Sequence, residues 1–314
     1  MTKLTANRRQ FLGLAAGGAA AASFAAPQEA AAQVETNAQI VIIGAGAGGT
    51  ALANRLVRRL NGARITLIDP RVEHLYQPGL SLVAAGLKPA NYVVSKTTDW
   101  LPDGITLIAE AADAIDPETR TVTTSGGQTV RYDFLVVAPG LVLDHDAIEG
   151  FSLDMVGKNG IGALYAGPQY AAATWQAAQA FSETGGIGLF TRPATEMKCA
   201  GAPLKHTFLI EDITRTSGNR GKAEFHYAAP QGALFGVPIV SEKVRMLFAE
   251  RGISTAMQHT LKSIDPGAKR ATFETPEGPV EMDYDYLHVI PPQRAPDVIR
   301  QSGLSWADKW TDQG

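Results

Sequence analysis

The strongest constraint on the fold is a glycine-rich turn near the start of the chain, in the segment AQIVIIGAGAGGTALANRLVRRL. Residues 39–43 (QIVII) predict a buried strand, and apolar side chains follow the turn at helical spacing. Between them, residues 44–49 (GAGAGG) match the pattern G-x-G-x-x-G. In this context the glycines provide a tight turn, close approach for a pyrophosphate and close helix–strand packing. The segment therefore predicts a dinucleotide-binding βαβ unit.

An acidic residue stands where such a unit carries its ribose ligand. The stretch ARITLIDP predicts the second strand, and Asp69 follows its last apolar residue. A carboxylate at this point can accept a hydrogen bond from a ribose hydroxyl. A structural glycine turn without a ligand is the alternative, and the position of Asp69 favours the binding turn.

The rest of the chain alternates predicted strands and helices. Strands with turns between them cover 105–140, and a second α/β unit follows with a helix at 169–184, a strand at 185–193 and a helix at 202–217. Two units of similar size in tandem indicate a duplicated dinucleotide-binding architecture. The formal net charge of −3 gives no electrostatic argument for nucleic acid as a partner.

The first 35 residues have the layout of a twin-arginine export signal. Arg8 and Arg9 precede Phe11 and Leu12, and a weakly apolar run of alanine and glycine follows. That run is too rich in alanine for a spanning helix, which needs about 20 strongly apolar residues. We therefore expect residues 1–35 to be a signal peptide and the protein to be periplasmic. A chance arginine pair before an N-terminal anchor is the alternative.

The turn after the second predicted buried strand differs from the first turn. Residues 193–199 read PATEMKC, and no glycine follows the strand GIGLFTR until Gly201. A bulky, charged turn cannot bring its backbone amides up to a pyrophosphate as a glycine turn does. We therefore expect FAD in the first unit and no NAD(P)H in the second, so the electron donor must be another molecule.

The single cysteine of the chain, Cys199, lies in this second turn. The helix predicted after it and the neighbouring Lys198 and Lys205 favour the thiolate, which is the nucleophilic form. Position and neighbours predict a functional thiol, against the alternative of a buried structural cysteine. His206 is a candidate base, although a histidine of the core or surface is the favoured interpretation. The other histidines have no metal-ligand spacing, so no metal site is predicted.

At this point the sequence resembles a known family. The segment KCAGAPLKHTFL is similar to the first active-site cysteine segment of the sulfide:quinone oxidoreductases, and the similarity continues in HLYQPGLSLVAAG, FLVVAPGLVLDHDAIEG, GALFGVPIVSEKV and YLHVIPPQRAPDVIR. The resemblance implies an α/β fold of tandem Rossmann-like domains, of the disulfide-reductase-like flavoprotein type and incomplete at its C-terminal end. The implied parts are a FAD-binding domain, a second Rossmann-like domain carrying Cys199, and the start of a return to the first domain: 38–155, 156–290 and 291–314.

The resemblance also implies a function and a set of site residues. The implied reaction is FAD-dependent oxidation of sulfide to persulfide or polysulfide sulfur, with Cys199 as one of two redox cysteines and membrane quinone as the electron acceptor. The quinone implies peripheral contact with the membrane. The implied cofactor-binding residues lie on the phosphate turn, at the ribose, beside the flavin, at the adenine and near the ribityl chain: Gly44, Gly46, Ala47, Gly48, Gly49, Asp69, Gln77, Pro78, Ala112, Pro139 and Gly140.

The sequence departs from the family in its last part. The second redox cysteine of the family lies beyond the region that resembles 286–300, and no cysteine follows Cys199 here. A late Gly-Asp segment that contacts the flavin in the family is also missing. We expect truncation, the alternative being a protein that has lost half of the site. Two other functions stay open: the flavoprotein subunit of a flavocytochrome c-type sulfide dehydrogenase, with a cytochrome c partner, and a non-catalytic FAD-binding protein.

Overall fold

Two parallel sheets organise the chain, whose computed structural model describes residues 33–305. The strands of the first half are β1 Val34–Glu35, β2 Gln39–Ile43, β3 Leu60–Asn61, β4 Arg64–Ile68, β5 Glu73–Leu75, β6 Val94–Lys96, β7 Ile105–Ile108, β8 Ala112–Asp116, β9 Thr121–Thr124, β10 Thr129–Arg131, β11 Phe134–Val137 and β12 Val142–Leu143. Those of the second half are β13 Ile161–Gly162, β14 Gly186–Thr191, β15 Ala223–Ala229, β16 Ile253–Met257, β17 Thr260–Asp265, β18 Arg270–Thr275, β19 Gly278–Asp283, β20 Tyr286–His288 and β21 Gln293–Arg294.

Within residues 33–305, six α-helices accompany these strands. They are α1 Ala47–Arg59, α2 Leu80–Val83, α3 Pro168–Thr184, α4 Ala202–Thr216, α5 Pro238–Arg251 and α6 Asp297–Gln301. Short 3-10 turns lie at Gln77–Gly79, Ala90–Val93, Thr97–Trp100, His145–Ala147, Leu153–Met155, Leu164–Ala166 and Arg220–Lys222. The helix α3 begins with Pro168, whose fixed φ suits a first helical position, and Gly185, with φ +83°, follows its last residue.

The first parallel sheet has the order β11–β2–β4–β7 and lies between two layers. Its strands are nearly continuous apolar runs, as expected for parallel strands that are covered on both faces. One face packs on α1 through Ile42, Leu67 and Ala53. The other face packs on the antiparallel sheet β10–β9–β8 through residues such as Val41 and Val122. Within the stretch 105–140, where strands with turns between them were predicted, residues 105–116 divide into β7 and β8, which belong to these two different sheets.

The second parallel sheet repeats this layering with the order β13–β20–β14–β15–β16. Helices α3, α4 and α5 cover one face, where Phe181, Phe190 and Phe225 form an aromatic core. The antiparallel sheet β17–β18–β19 covers the other face. The mixed α/β architecture with two parallel sheets confirms the predicted fold class.

The chain returns to its first half after β20. Strand β21 pairs with β12 in antiparallel fashion, and Ile299 of α6 joins the core that contains Val41 and Ile43. This return also carries Gln293 towards the turn that holds Cys199. The predicted signal peptide, residues 1–35, lies almost entirely outside the described residues.

Candidate functional site

The glycine turn joins β2 to α1, and its glycines have different surroundings. Gly44 has φ +100°, and a Cβ there would lie 2.1 Å from the carbonyl oxygen of Ala138. A Cβ on Gly49 would lie 1.8 Å from the carbonyl oxygen of Gly44, so this glycine allows the helix to pack on the turn. By contrast, a Cβ on Gly46 would meet only the Nη2 atom of Arg71, at 3.7 Å.

This difference identifies the side of the turn that is open to a ligand. Gly46 is the N-cap of α1, and the backbone N–H groups of the first helical turn have no intrahelical acceptors. Ala45, Gly46 and Ala47 line a cavity of about 260 Å³. Open backbone beside a helix N-terminus suits a phosphate group, so the residues present fit the pyrophosphate of a dinucleotide.

Asp69 binds the backbone of the glycine turn through its carboxylate. Its carboxylate is 3% exposed and accepts hydrogen bonds from the amides of Ala45 (2.6 Å) and Arg71 (2.8 Å). The guanidinium of Arg71 donates two more, from Nε (3.0 Å) and Nη2 (2.7 Å). Burial opposes ionisation of Asp69, but the hydrogen bonds from Arg71 and Ala45 outweigh it and hold the pKa of this carboxyl below its usual value. Asp69 is therefore an anion at neutral pH.

A second cavity of about 180 Å³ adjoins the first, and Asp69 and Arg71 line both. The smaller cavity also contains Gly44, Ala112 and Pro139. Of the predicted cofactor-binding residues, those that line the larger cavity are Gly46, Ala47, Asp69, Gln77 and Pro78. Three others line neither of these two cavities within the described part of the chain: Gly48, Gly49 and Gly140.

Cys199 lines the larger cavity together with the glycine turn. It is exposed, has φ +53° and stands three residues before α4. A non-glycine residue in the left-handed region is uncommon and needs support from its surroundings. The Oη of Tyr165 donates to the carbonyl oxygen of Cys199 at 3.0 Å, and the amide of Ala202 donates to the same oxygen at 2.8 Å.

Two lysine side chains line the same cavity as the thiol. The Nζ of Lys205 is 3.6 Å from the Cys199 Sγ, and Lys205 and Lys198 both line the larger cavity. Lys198 is half-buried, and burial together with the positive charge of Arg71 lowers its pKa. The cavity therefore offers an exposed sulfur atom beside positively charged side chains, which attract small anions.

Gln293, which is distant in sequence, contacts the cysteine segment directly. Sequence reasoning did not identify this residue. The amide of Lys198 donates to the Gln293 side-chain oxygen at 3.0 Å, and the amide of Gln293 donates to Thr195 Oγ1 at 2.8 Å. Gln293 is 5% exposed and belongs to β21. Arg71 was also missed, although its position two residues after Asp69 was visible in the sequence.

His206 lies in the core of the second unit rather than in the cavity. It is fully buried, its Nε2 is 2.6 Å from the Oη of Tyr286, and its ring centroid is 4.3 Å from that of His288. Burial lowers the pKa of His206 to about 3. Burial and the neighbouring His206 also lower the pKa of His288. Both rings are therefore neutral at pH 7, and His206 occupies the core, which is one of the two positions, core or surface, that the favoured interpretation allowed.

Two features are absent from residues 33–305. Within that range no three histidine, cysteine, aspartate or glutamate side chains are grouped so that they could hold a metal ion. No helix in the same range has the length and apolar character needed to cross a membrane.

Known proteins resemble this chain in sequence and in fold. Residues 38–181 match the family model for pyridine nucleotide-disulphide oxidoreductases. The mitochondrial sulfide:quinone oxidoreductase of Mus musculus is 34% identical over 281 residues, which are 87% of this chain and 61% of the relative. The chain is a homologue of the sulfide:quinone oxidoreductases. The resemblance predicted from the cysteine segment is thereby confirmed.

Further sulfide:quinone oxidoreductases extend this relationship. The mitochondrial enzyme of Dictyostelium discoideum is 33% identical over 268 residues, covering 85% of this chain and 59% of the relative. The crystal structure of the enzyme from Aquifex aeolicus superposes with a TM-score of 0.72 at 24% identity, over 85% of this chain and 61% of that chain, and shows a shared fold. The chain thus spans about three fifths of the length of the sulfide:quinone oxidoreductases that it matches.

Proposed function

We propose that this chain forms the FAD-binding and thiol-bearing part of an enzyme that oxidises sulfide and passes the electrons to quinone. The observation that carries the proposal is that Cys199 and the glycine turn line the same cavity. The names of its relatives supply the substrate class. In this reaction the Cys199 thiol and a hydrosulfide ion would give a persulfide anion, two protons and two electrons, and bound FAD would accept the electrons.

The residues of the two cavities would bind different parts of FAD. The open amides around Gly46 suit the pyrophosphate, and the smaller cavity with Ala112 and Pro139 suits the adenosine half. Gln77 lies with Cys199 in the larger cavity, which leaves the flavin half beside the thiol. When bound there, FAD supplies a two-electron acceptor. The protein contributes the nucleophile, its positive surroundings and the fixed position of the Cys199 backbone.

A second candidate function rests on the single cysteine. A chain with one thiol forms no internal disulfide, and by itself it can hold one sulfur atom as a persulfide of Cys199. A chain with one cysteine is consistent with a protein that binds FAD and carries sulfur without catalytic turnover. It differs from the first candidate in that sulfide would leave its flavin oxidised.

Anaerobic mixing of the FAD-loaded chain with sulfide separates the two candidates. The first predicts loss of the oxidised flavin absorbance in a single turnover and a persulfide on Cys199 that cyanide releases as thiocyanate. In the Cys199→Ser variant the rate of bleaching should fall by roughly a hundredfold or more, because the nucleophile is gone. Dithionite should bleach both proteins equally, which shows that the variant still holds flavin. Unchanged bleaching in Cys199→Ser would remove the assigned role.

NADH provides a further test of the second turn. The proposal predicts that NADH leaves the flavin oxidised, because the turn at 193–199 lacks the glycines that admit a pyrophosphate. Rapid reduction by NADH would contradict this interpretation of the turn. The same experiment with sulfide serves as the positive control.

Export and membrane contact are part of the proposal. The arginine pair at the N-terminus supports a twin-arginine signal and a periplasmic location, and quinone as acceptor implies peripheral contact with the membrane. Residues 1–35 fused to a folded fluorescent protein should direct it to the periplasm. Replacement of Arg8 and Arg9 by lysine should abolish this export, and export that persists would argue against the signal.

A further inference from the structure

Arg71 stands between the two cavities of the site. It lies three residues after the end of β4, lines both cavities and is about half exposed, with 47% of its side chain accessible. Its Nη2 reaches over the glycine turn, since a Cβ on Gly46 would lie 3.7 Å from that atom. A ligand that extends from one cavity into the other must pass this guanidinium.

The hydrogen bonds of Asp69 show a conflict with a bound ribose. An ionised carboxylate has about four acceptor sites. Four donors already fill them: the amides of Ala45 and Arg71, and the Nε and Nη2 atoms of Arg71. A ribose hydroxyl can therefore bind Asp69 only after one donor has left. The two amides are fixed by the backbone, whereas the half-exposed side chain of Arg71 is free to move.

The surroundings indicate where the guanidinium would go. The turn beside it presents open backbone amides at Gly46, which suit a pyrophosphate. A guanidinium binds phosphate oxygens through two parallel N–H donors. Lys198 faces the same cavity, and its electrostatic repulsion with Arg71 would be relieved by an anion placed between them.

We propose that Arg71 is a pyrophosphate-binding residue that leaves Asp69 when the dinucleotide binds, so that Asp69 becomes free to accept a ribose hydroxyl. The inference rests on the proposed function insofar as the ligand is FAD. It assigns two states to one side chain: an ion pair with Asp69 in the empty site and an ion pair with phosphate in the filled one. Loss of Arg71 should therefore weaken the binding of phosphate-containing ligands but not that of phosphate-free ones.

Titration calorimetry of the 314-residue apoprotein with FAD, ADP and adenosine tests this. In Arg71→Ala the dissociation constants for FAD and ADP should rise roughly ten- to hundredfold, the range expected for a lost charge-assisted pair. The constant for adenosine should stay the same or fall, because Asp69 is released. Arg71→Lys keeps the charge without the paired donors and should give an intermediate loss for FAD. Arg55→Ala, an exposed change on α1, controls for net charge.

The outcomes separate the two proposals. If adenosine weakens as much as ADP, Arg71 serves to position Asp69 and the inference is wrong; an unchanged FAD affinity is equally against it. If the wild-type chain binds ADP and adenosine but not FAD, the proposed function fails while the Arg71 comparison still decides the inference. If the wild-type chain binds none of the three ligands, both are overturned. Thermal melts of each apoprotein variant exclude loss of folding as the cause.

Discussion

Replacing Gly49 by alanine should damage the packing of the fold, whereas the same change at Gly48 should not. A Cβ on Gly49 would lie 1.8 Å from the carbonyl oxygen of Gly44 and 3.4 Å from the Ile42 side chain. Because neither strand β2 nor the turn can yield easily in a close-packed core, α1 must move away by roughly 1 Å. Such overpacking costs about 1–3 kcal/mol, which in a chain of this size lowers the melting temperature by roughly 2–10 °C.

The matched controls are the two other glycines of the same turn. A Cβ on Gly48 has no atom within 4 Å, and alanine is the better helix former, so Gly48→Ala should keep or raise the melting temperature. Gly46→Ala should melt as the wild-type apoprotein does but bind FAD more weakly, because its Cβ occupies the open side of the turn. Differential scanning calorimetry of the apoproteins and titration with FAD measure both effects. The reasoning is refuted if Gly49→Ala melts like the wild type, or if Gly48→Ala melts as low as Gly49→Ala.

Two further predictions concern the second half of the chain. Gln293→Ala removes the acceptor of the Lys198 amide, so the thiol should react faster with a disulfide reagent while the melting temperature changes little; an unchanged reaction rate would show that Gln293 does not restrain the turn. The free energy of unfolding should fall as the pH drops from 6.5 towards 3, by about 1.4 kcal/mol per pH unit for each buried histidine. In this pH range His206 and His288 bind protons in the unfolded state, whereas burial keeps both rings neutral in the folded state. Replacing His206 by leucine should flatten this slope in denaturant titrations, and a slope that stays the same in this variant would contradict the prediction.

The sequence predicted the elements of the fold well where one local signal dominates. The strand expected at 39–43 is β2 Gln39–Ile43, and the helices expected at 169–184 and 202–217 are Pro168–Thr184 and Ala202–Thr216. Parallel strands that are buried on both faces have nearly continuous apolar sequences, and glycine or proline marks their ends. The division of 105–116 between two sheets was missed, because local patterning does not say which neighbour a strand will pair with.

The site was predictable only as far as its motifs reach. The glycine pattern and the cysteine segment indicated the two turns, but the contacts that hold them join residues far apart in sequence. Gln293 reaches Lys198 across almost a hundred positions, and His206 on α4 meets His288 on β20 only in the folded core. The hydrogen bonds from the Arg71 side chain to the Asp69 carboxylate depend on side-chain conformation, which a motif does not specify.

The two turns that face the larger cavity use their backbones in opposite ways. After β2, the turn leaves amides around Gly46 open, so the backbone itself is the ligand-binding group. After β14, the backbone groups are already paired within the protein: the Lys198 amide with Gln293, and the Cys199 carbonyl with Tyr165 and Ala202. A turn whose polar backbone is satisfied has only its side chains to offer, and here that side chain is a thiol. Strand β21, which carries Gln293, pairs with β12. The first half of the chain therefore helps to fix the turn that carries Cys199 at the cavity that it shares with the glycine turn.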